Sequence, residues 1–388
     1  MRLSNESVAH PAAGSGWHLT VAMARTADSS ERQMLGWNVP AEHMEIVHPH
    51  WRQFEAVSIY WHLGLAMVYI FLMFSSLIGN GLVAYAFFTC KSLRTPSNIL
   101  IVNQVGMDLM MFVNIPWFVV NSVSGYFVGW ETGCDIYGFF GSVGGMGSSM
   151  NNAIIAFDRY RTIAFPIDGR MSGKQTTALA LFAWLWAMPF SIIPWVRVLG
   201  SKYVTEGFLT SCSFDFLTEG DETRFFMATI FTWAYFIPVS LITVFYSKLY
   251  GKVREHSAML AAQAKKMNMK SLQSNADAEK ESAEIKIAKI AFTIFFMFIV
   301  GWTPYAVVAL TGAFGDRSLL TPVVTMIPAI TCKAVSCIDP WIYALNHPRF
   351  RAEIERIVPC LKGNPKKPRV DSTSDGKSVA TEATGDNS

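Results

Sequence analysis

Three ionisable side chains of this 388-residue chain, Asp108, Lys333 and Asp339, lie inside stretches that are otherwise almost free of charge. A charge at the centre of a membrane-spanning helix costs about 2.5–3.5 kcal/mol on insertion scales, so all three are functional candidates by position alone. Lys333 is the most informative. It lies thirteen residues after Leu320 and twelve before Leu345, too deep for its amine to snorkel to an interface. A structural pair with Asp339 is disfavoured, because six residues put the two far round a helix from each other. Desolvation favours the neutral amine, and a neutral amine attacks a carbonyl carbon to form a Schiff base. An aldehyde ligand would then be held covalently, and a protonated imine would need a counter-charge. Trp233, Phe295, Phe296, Phe298, Trp302 and Tyr305 suit a long hydrophobic chromophore, although such a stripe also serves ordinary helix packing.

The elements that must position these groups follow from composition. Hydrophobic residues make up 51% of the chain and charged residues 16%, against about 25% charged in soluble proteins. A bilayer core needs roughly 20 apolar residues in a helix. Seven stretches qualify, at 61–88, 98–121, 135–157, 175–196, 225–247, 288–312 and 320–345. Backbone groups in lipid must bond internally, so each is expected to be a helix. The short alternating segments of a β-barrel are absent. Segments 89–96, 158–174, 248–289 and 346–388 hold 23 Lys and Arg between them, and 1–60, 122–134, 197–224 and 313–319 hold 8. The positive-inside rule therefore places the first group in the cytoplasm and the amino terminus outside. The expected fold is an all-α, integral-membrane bundle of seven helices over 61–346, preceded by an extracellular tail over 1–60. That tail lacks a signal-peptide core, which leaves the first span as the insertion signal.

Further features agree with this orientation. Of six cysteines, only Cys134 and Cys212 fall outside, where disulfides are permitted. A bridge between them would tie the outer end of the third helix to the second outer loop; the alternative is two free thiols. Asn5 begins an Asn-Glu-Ser glycosylation triplet on the outer side. The Ala, Lys, Gln and Glu content of 251–284 favours helix, extending the fifth and sixth spans into the cytoplasm. His347 to Val358 reads as a short amphipathic helix on the membrane surface, with Phe350, Ile354 and Ile357 on one face. Cys360 closes this 347–360 segment as a candidate palmitoylation site. Residues 361–388 have the composition of a disordered tail carrying phosphorylatable Ser and Thr. The net charge of +3 indicates no nucleic-acid partner, and no metal site is expected.

Several spaced motifs together resemble the rhodopsin-like G-protein-coupled receptors. They are Gly79 with Asn80, Asp108, the triplet Asp158, Arg159 and Tyr160, then Trp184, and Pro238 with Tyr246. Trp302 with Pro304 and the run from Asp339 and Pro340 to Tyr343 follow, the last departing from the usual Asn-Pro. Lys333, seven residues before Pro340, has the spacing of the retinal lysine and is similar to that of the visual opsins. Amine receptors would carry Asp where this chain has Gly141. The stretch from Asn346 to Arg349, the long inner loop and the run from Gly36 to Pro40 resemble the arthropod visual type.

This resemblance implies a light-activated receptor rather than an enzyme, binding 11-cis-retinal, or a hydroxylated or dehydro derivative, on Lys333 as a protonated Schiff base. Glu206, six residues before Cys212, matches the acidic position used by invertebrate opsins as counterion, with Tyr137 as its hydrogen-bonding neighbour. An anion there favours the protonated imine. Isomerisation would press on Trp302 beside Tyr305 and on the kink at Pro304. Breaking an Arg159–Glu284 pair would then open the cytoplasmic face to a Gq-type G protein. Tyr246 and Tyr343 would hold the open form, and Asn80, Asp108 and Asp339 would form a polar cluster linking the bundle to Arg159. Arrestin, a receptor kinase and membrane lipid are the further partners implied, in a multi-pass cell membrane of rhabdomeric type. No lysine lies between Phe112 and Val120, where insect ultraviolet opsins often carry one, which favours a blue-type pigment. The rival readings are a retinal photoisomerase and a receptor for a diffusible lipid or peptide.

Overall fold

The computed structural model describes residues 33–267 and 274–358. Seven long helices are present: α1 (Ile59–Thr89), α2 (Pro96–Ser124), α3 (Trp130–Ala164), α4 (Gly173–Trp195), α5, α6 (Ser274–Phe314) and α7 (Pro322–Asn346). Helix α5 is built of Asp221–Phe231, a π-helical turn Thr232–Phe236 and Ile237–Met267. A short α8, Pro348–Ile357, follows. Local sequence explains several ends. Pro96 opens α2, where a missing N–H costs nothing, and Gly125 closes it in the left-handed conformation at φ 75°. Ser172 and Gln175 form a reciprocal capping box at the start of α4. Helices α5 and α6 run past the apolar stretches, as the composition of 251–284 predicts. The side chains of Glu284 and Tyr343, together with Asn5, Cys360 and the tail beyond, lie outside the described residues.

Among the described residues, six of the seven long helices are apolar enough to cross a membrane by composition. The exception is α3, for a physical reason. From Ser142 to Ala156 every residue of it is buried, because it packs against α2, α4, α5 and α6 and beneath the outer hairpin. A helix shielded from lipid does not need large apolar side chains, and close helix contact favours small ones. A Cβ on Gly145 would lie 2.4 Å from the Trp302 ring, and one on Gly144 would lie 2.7 Å from Met111.

The outer loop contains a feature that the all-α expectation omits. Strands β1 (Tyr203–Glu206) and β2 (Ser211–Phe214) pair antiparallel, with Glu206 opposite Ser211 and Thr205 opposite Cys212. Gly207 and Leu209 turn the chain at positive φ. Cys134 is bonded to Cys212, which pins β2 to the top of α3. The described residues before α1, from 33 onward, also fold onto this plug. Val47 bridges to Thr205, whose hydroxyl donates to Ile46 O at 2.7 Å. Trp51 is fully buried, and His50 Nε2 donates to Leu320 O at 2.7 Å. Replacing both Cys134 and Cys212 by Ser should lower stability by about 2–4 kcal/mol, measured as an earlier thermal unfolding transition in detergent. An unchanged transition would mean that packing alone seats the hairpin.

Candidate functional site

Beneath the hairpin lies a cavity with about 820 Å³ of empty space, its mouth included, walled by α2, α3, α5, α6, α7 and the hairpin. Lys333 enters from α7 and is 6% exposed; its Nζ donates to Ala329 O at 3.2 Å. Glu206 comes down from β1 and is 2% exposed. Its carboxylate accepts from Ser211 Oγ and from Tyr305 Oη, both at 3.2 Å. Burial pushes the Glu206 carboxyl up, while Lys333 and the hydroxyls of Ser213, Tyr305 and Ser211 oppose that shift. Lys333 and Glu206 share the cavity without an ion pair between them among the described residues. Lys333 Nζ lies 5.6 Å from the centre of the Tyr137 ring, and the Tyr137 hydroxyl is buried without a hydrogen-bond partner. Trp302 forms the floor, 5.8 Å from Phe298 and edge-on to Tyr305. The five residues assigned to this region from sequence, Lys333, Glu206, Tyr137, Trp302 and Tyr305, thus line one cavity. Sequence reasoning missed Asn114, Ser142, Ser213 and Tyr235, which also line it; they belong to no periodic pattern and carry no charge.

Toward the inner surface, hydrogen bonds replace apolar packing. Gln104 Nε2 donates to Asp108 Oδ1 at 3.3 Å and also to Ser148 Oγ, and Asn151 Nδ2 donates to Gln104 Oε1 at 3.0 Å. Asn80 Nδ2 donates to Ser76 Oγ at 3.1 Å and to Ser336 O at 3.5 Å. Asp339 is buried within electrostatic reach of Asp108. Arg159, buried at the end of α3, donates from Nη2 to Asp158 Oδ2. The Tyr160 ring stacks on Phe245, and Tyr246 stacks on Phe295 of α6. The geometry brings Asp108 and Asp339 together near mid-bundle and bonds Asn80 to the α7 backbone at Ser336, with Asp158, Arg159 and Tyr160 at the inner end of α3.

The family model of the 7 transmembrane receptor (rhodopsin family) matches residues 79–343. Opsin-2 of Schistocerca gregaria is 55% identical over 355 residues, covering 90% of this chain and 92% of that protein. The blue-sensitive opsin of Apis mellifera is 53% identical over 354 residues, covering 91% and 92%. The crystal structure of squid rhodopsin superposes with a TM-score of 0.76 at 32% identity, covering 82% of this chain and 93% of that one. The chain belongs to the rhodopsin family, among the arthropod visual opsins. It is accordingly a multi-pass membrane receptor for light, of the class that signals through heterotrimeric G proteins.

In this opsin a buried histidine lies at the inner end. His347, between α7 and α8, is 2% exposed and meets Phe350 edge-on at 5.3 Å. Burial, followed by the nearby Arg159 and Arg349 charges, lowers its pKa from 6.5 to about 4. The unfolded chain therefore binds the extra proton between those values. The stability from a neutral His347 is fully present above pH 6.5 and is lost as pH falls toward 4, by about 3 kcal/mol in all. Thermal unfolding of the receptor should show this slope, and His347→Asn should flatten it. An equal slope in both proteins would assign the pH dependence to other groups.

Proposed function

We propose that this opsin is a blue-type visual pigment in which Lys333 Nζ holds a retinal covalently and Glu206 supplies the compensating negative charge. The observation that carries this reading is the convergence of one buried amine and one buried carboxylate on a single aromatic cavity. The residues present fit such a ligand. The walls are largely apolar, and the unpartnered Tyr137 hydroxyl offers a polar contact near the amine. Retinal, in the 11-cis form or as a hydroxylated or dehydro derivative, supplies light absorption and a change of shape when bound. The chain does the rest. Ser211 and Tyr305 hold the Glu206 carboxylate by hydrogen bonds, so it faces the cavity rather than solvent. Trp302 lies two residues before Pro304 in α6, so force on its ring acts next to a point where the proline has removed a helix hydrogen bond.

Outward movement of α6 then exposes the inner surface around Asp158 and Arg159, a two-state change biased from the cavity. Glu284 and Tyr343 complete this switch, together with Tyr246. The docking partner is a Gq-type G protein, followed by a receptor kinase and arrestin at the carboxyl-terminal tail, in rhabdomeric membrane. Similarity to a blue-sensitive relative supports the colour class, as does an α2 cavity wall made of Met111 and Asn114 without lysine. Asn5 glycosylation and Cys360 palmitoylation belong to the same reading.

Reconstitution with 11-cis-retinal tests the proposal. The wild type should gain a visible absorbance band that Lys333→Ala abolishes, and illumination should drive nucleotide exchange on a Gq-type protein. A band that survives Lys333→Ala overturns the assignment of the lysine; a light-silent pigment favours the photoisomerase reading. Glu206→Gln should move the band to shorter wavelength at neutral pH, because without the anion the nitrogen at Lys333 would lose its proton. An unchanged spectrum would point to another counterion.

A further inference from the structure

Tyr203 does not line the cavity, yet it is built into the wall with unusual specificity. Its ring lies across α3 where Gly138 leaves room: a Cβ at that position would sit 2.1 Å from the ring. Its hydroxyl lies 3.0 Å from both Ser191 O on α4 and Ser142 Oγ on α3; its one proton serves the Ser191 carbonyl, which can only accept, and its oxygen is left to accept from the Ser142 hydroxyl. Ser142 lies one turn beyond Gly138 and does line the cavity. Tyr203 is 3% exposed, so water does not compete for these bonds. A serine hydroxyl is otherwise free to rotate among staggered positions. With its O–H directed at the Tyr203 oxygen, the Ser142 hydroxyl no longer rotates, and its dipole has one direction.

We infer that Tyr203 is a positioning residue for colour: it fixes the orientation of the Ser142 dipole at the cavity wall and so helps set the absorption maximum. The inference rests on the retinal reading above. A polyene whose positive charge spreads along its length on excitation responds to fixed dipoles nearby, and in a low-dielectric wall a fixed dipole acts more strongly than a rotating one. Tyr203 touches the ligand only through Ser142, and this makes the role separable from seating the hairpin. The ring that fills the Gly138 recess is retained in Tyr203→Phe, which removes only the hydroxyl.

A double-mutant cycle on the full-length receptor, reconstituted with 11-cis-retinal, decides it. Tyr203→Phe should shift the absorbance maximum of the wild-type pigment, and should produce no further shift in a Ser142→Ala background. The acid–base titration of the band, governed by Glu206, should be unchanged by Tyr203→Phe. Equal shifts in both backgrounds, or a displaced titration, would overturn the inference in favour of a hairpin effect. So would no shift in either. Should Tyr203→Phe fail to fold, the infrared C–O stretch of labelled tyrosine in the Ser142→Ala pigment carries the test. A tyrosine band that moves when the serine is lost supports the coupling, and an unmoved set of bands overturns it. A wild type that forms no pigment at all overturns the retinal reading and this inference with it, whereas a normal pigment with additive shifts overturns the inference alone.

Discussion

An amine in the middle of a membrane protein needs a negative group that can reach it without opening the bundle to water. On the proposed assignment Lys333 on α7 is that amine and Glu206 that group, and much of the outer half of the molecule bears on how Glu206 is brought to the same cavity. No helix carries that carboxylate. It stands on β1, inserted from outside, and three separate devices fix the strand. The Cys134–Cys212 bond ties its partner strand to α3. The bridge from Val47 and the bond from Thr205 to Ile46 tie it to the amino-terminal segment. The Gly138 recess receives Tyr203. Together they hold the carboxylate against Tyr305 and Ser211 at ordinary bonding distance.

The same requirement shapes α3. A wall that must admit a tyrosine ring on one side and Trp302 on the other cannot carry large side chains at those contacts, and Gly138 and Gly145 occupy them. Loss of bulk lowers the helix's apolarity, and the polar run Ser148, Ser149, Asn151 and Asn152 lowers it further. Those side chains are not exposed to lipid. Ser149 Oγ donates to Ala234 O at 2.8 Å within the π-helical turn of α5, where the displaced backbone ladder gives a carbonyl an additional partner. The irregularity in α5 and the hydroxyl on α3 therefore belong to one contact.

How much of this was legible in the sequence depends on which physical signal each part carries. The lipid-facing helices announce themselves because every turn must be apolar. Lys333 and Asp108 are conspicuous because charge there is expensive. Cys134 and Cys212 follow once orientation is known. The hairpin is silent: all four residues of β1 are buried, so it lacks the alternation of a half-exposed strand, and its polar residues read as loop. The folded amino-terminal segment is equally hidden. Leu35, Val39, Val47 and Trp51 bury themselves against the hairpin, with no regular period to reveal it. Glu206 was recoverable only by its spacing from Cys212, and Ser142 by nothing in the sequence at all.

Polarity is also divided along the axis of the bundle, and under the proposed function this division separates sensing from switching. Around Lys333 the walls are aromatic rings and glycines in close contact, where displacement of one group by a fraction of an ångström must be passed to its neighbours. Below Trp302 the contacts become hydrogen bonds among Gln104, Asp108, Ser148 and Asn151, leading toward Asp158 and Arg159. Hydrogen bonds between polar side chains can be exchanged for others of similar strength, whereas a packed ring has few alternative positions. A rigid outer half and an exchangeable inner half therefore give a movement that begins as steric pressure in the cavity a low-cost direction in which to continue. That direction is inward along α3 and α6, toward the arginine, because on the outer side the disulfide and the folded amino-terminal segment resist it.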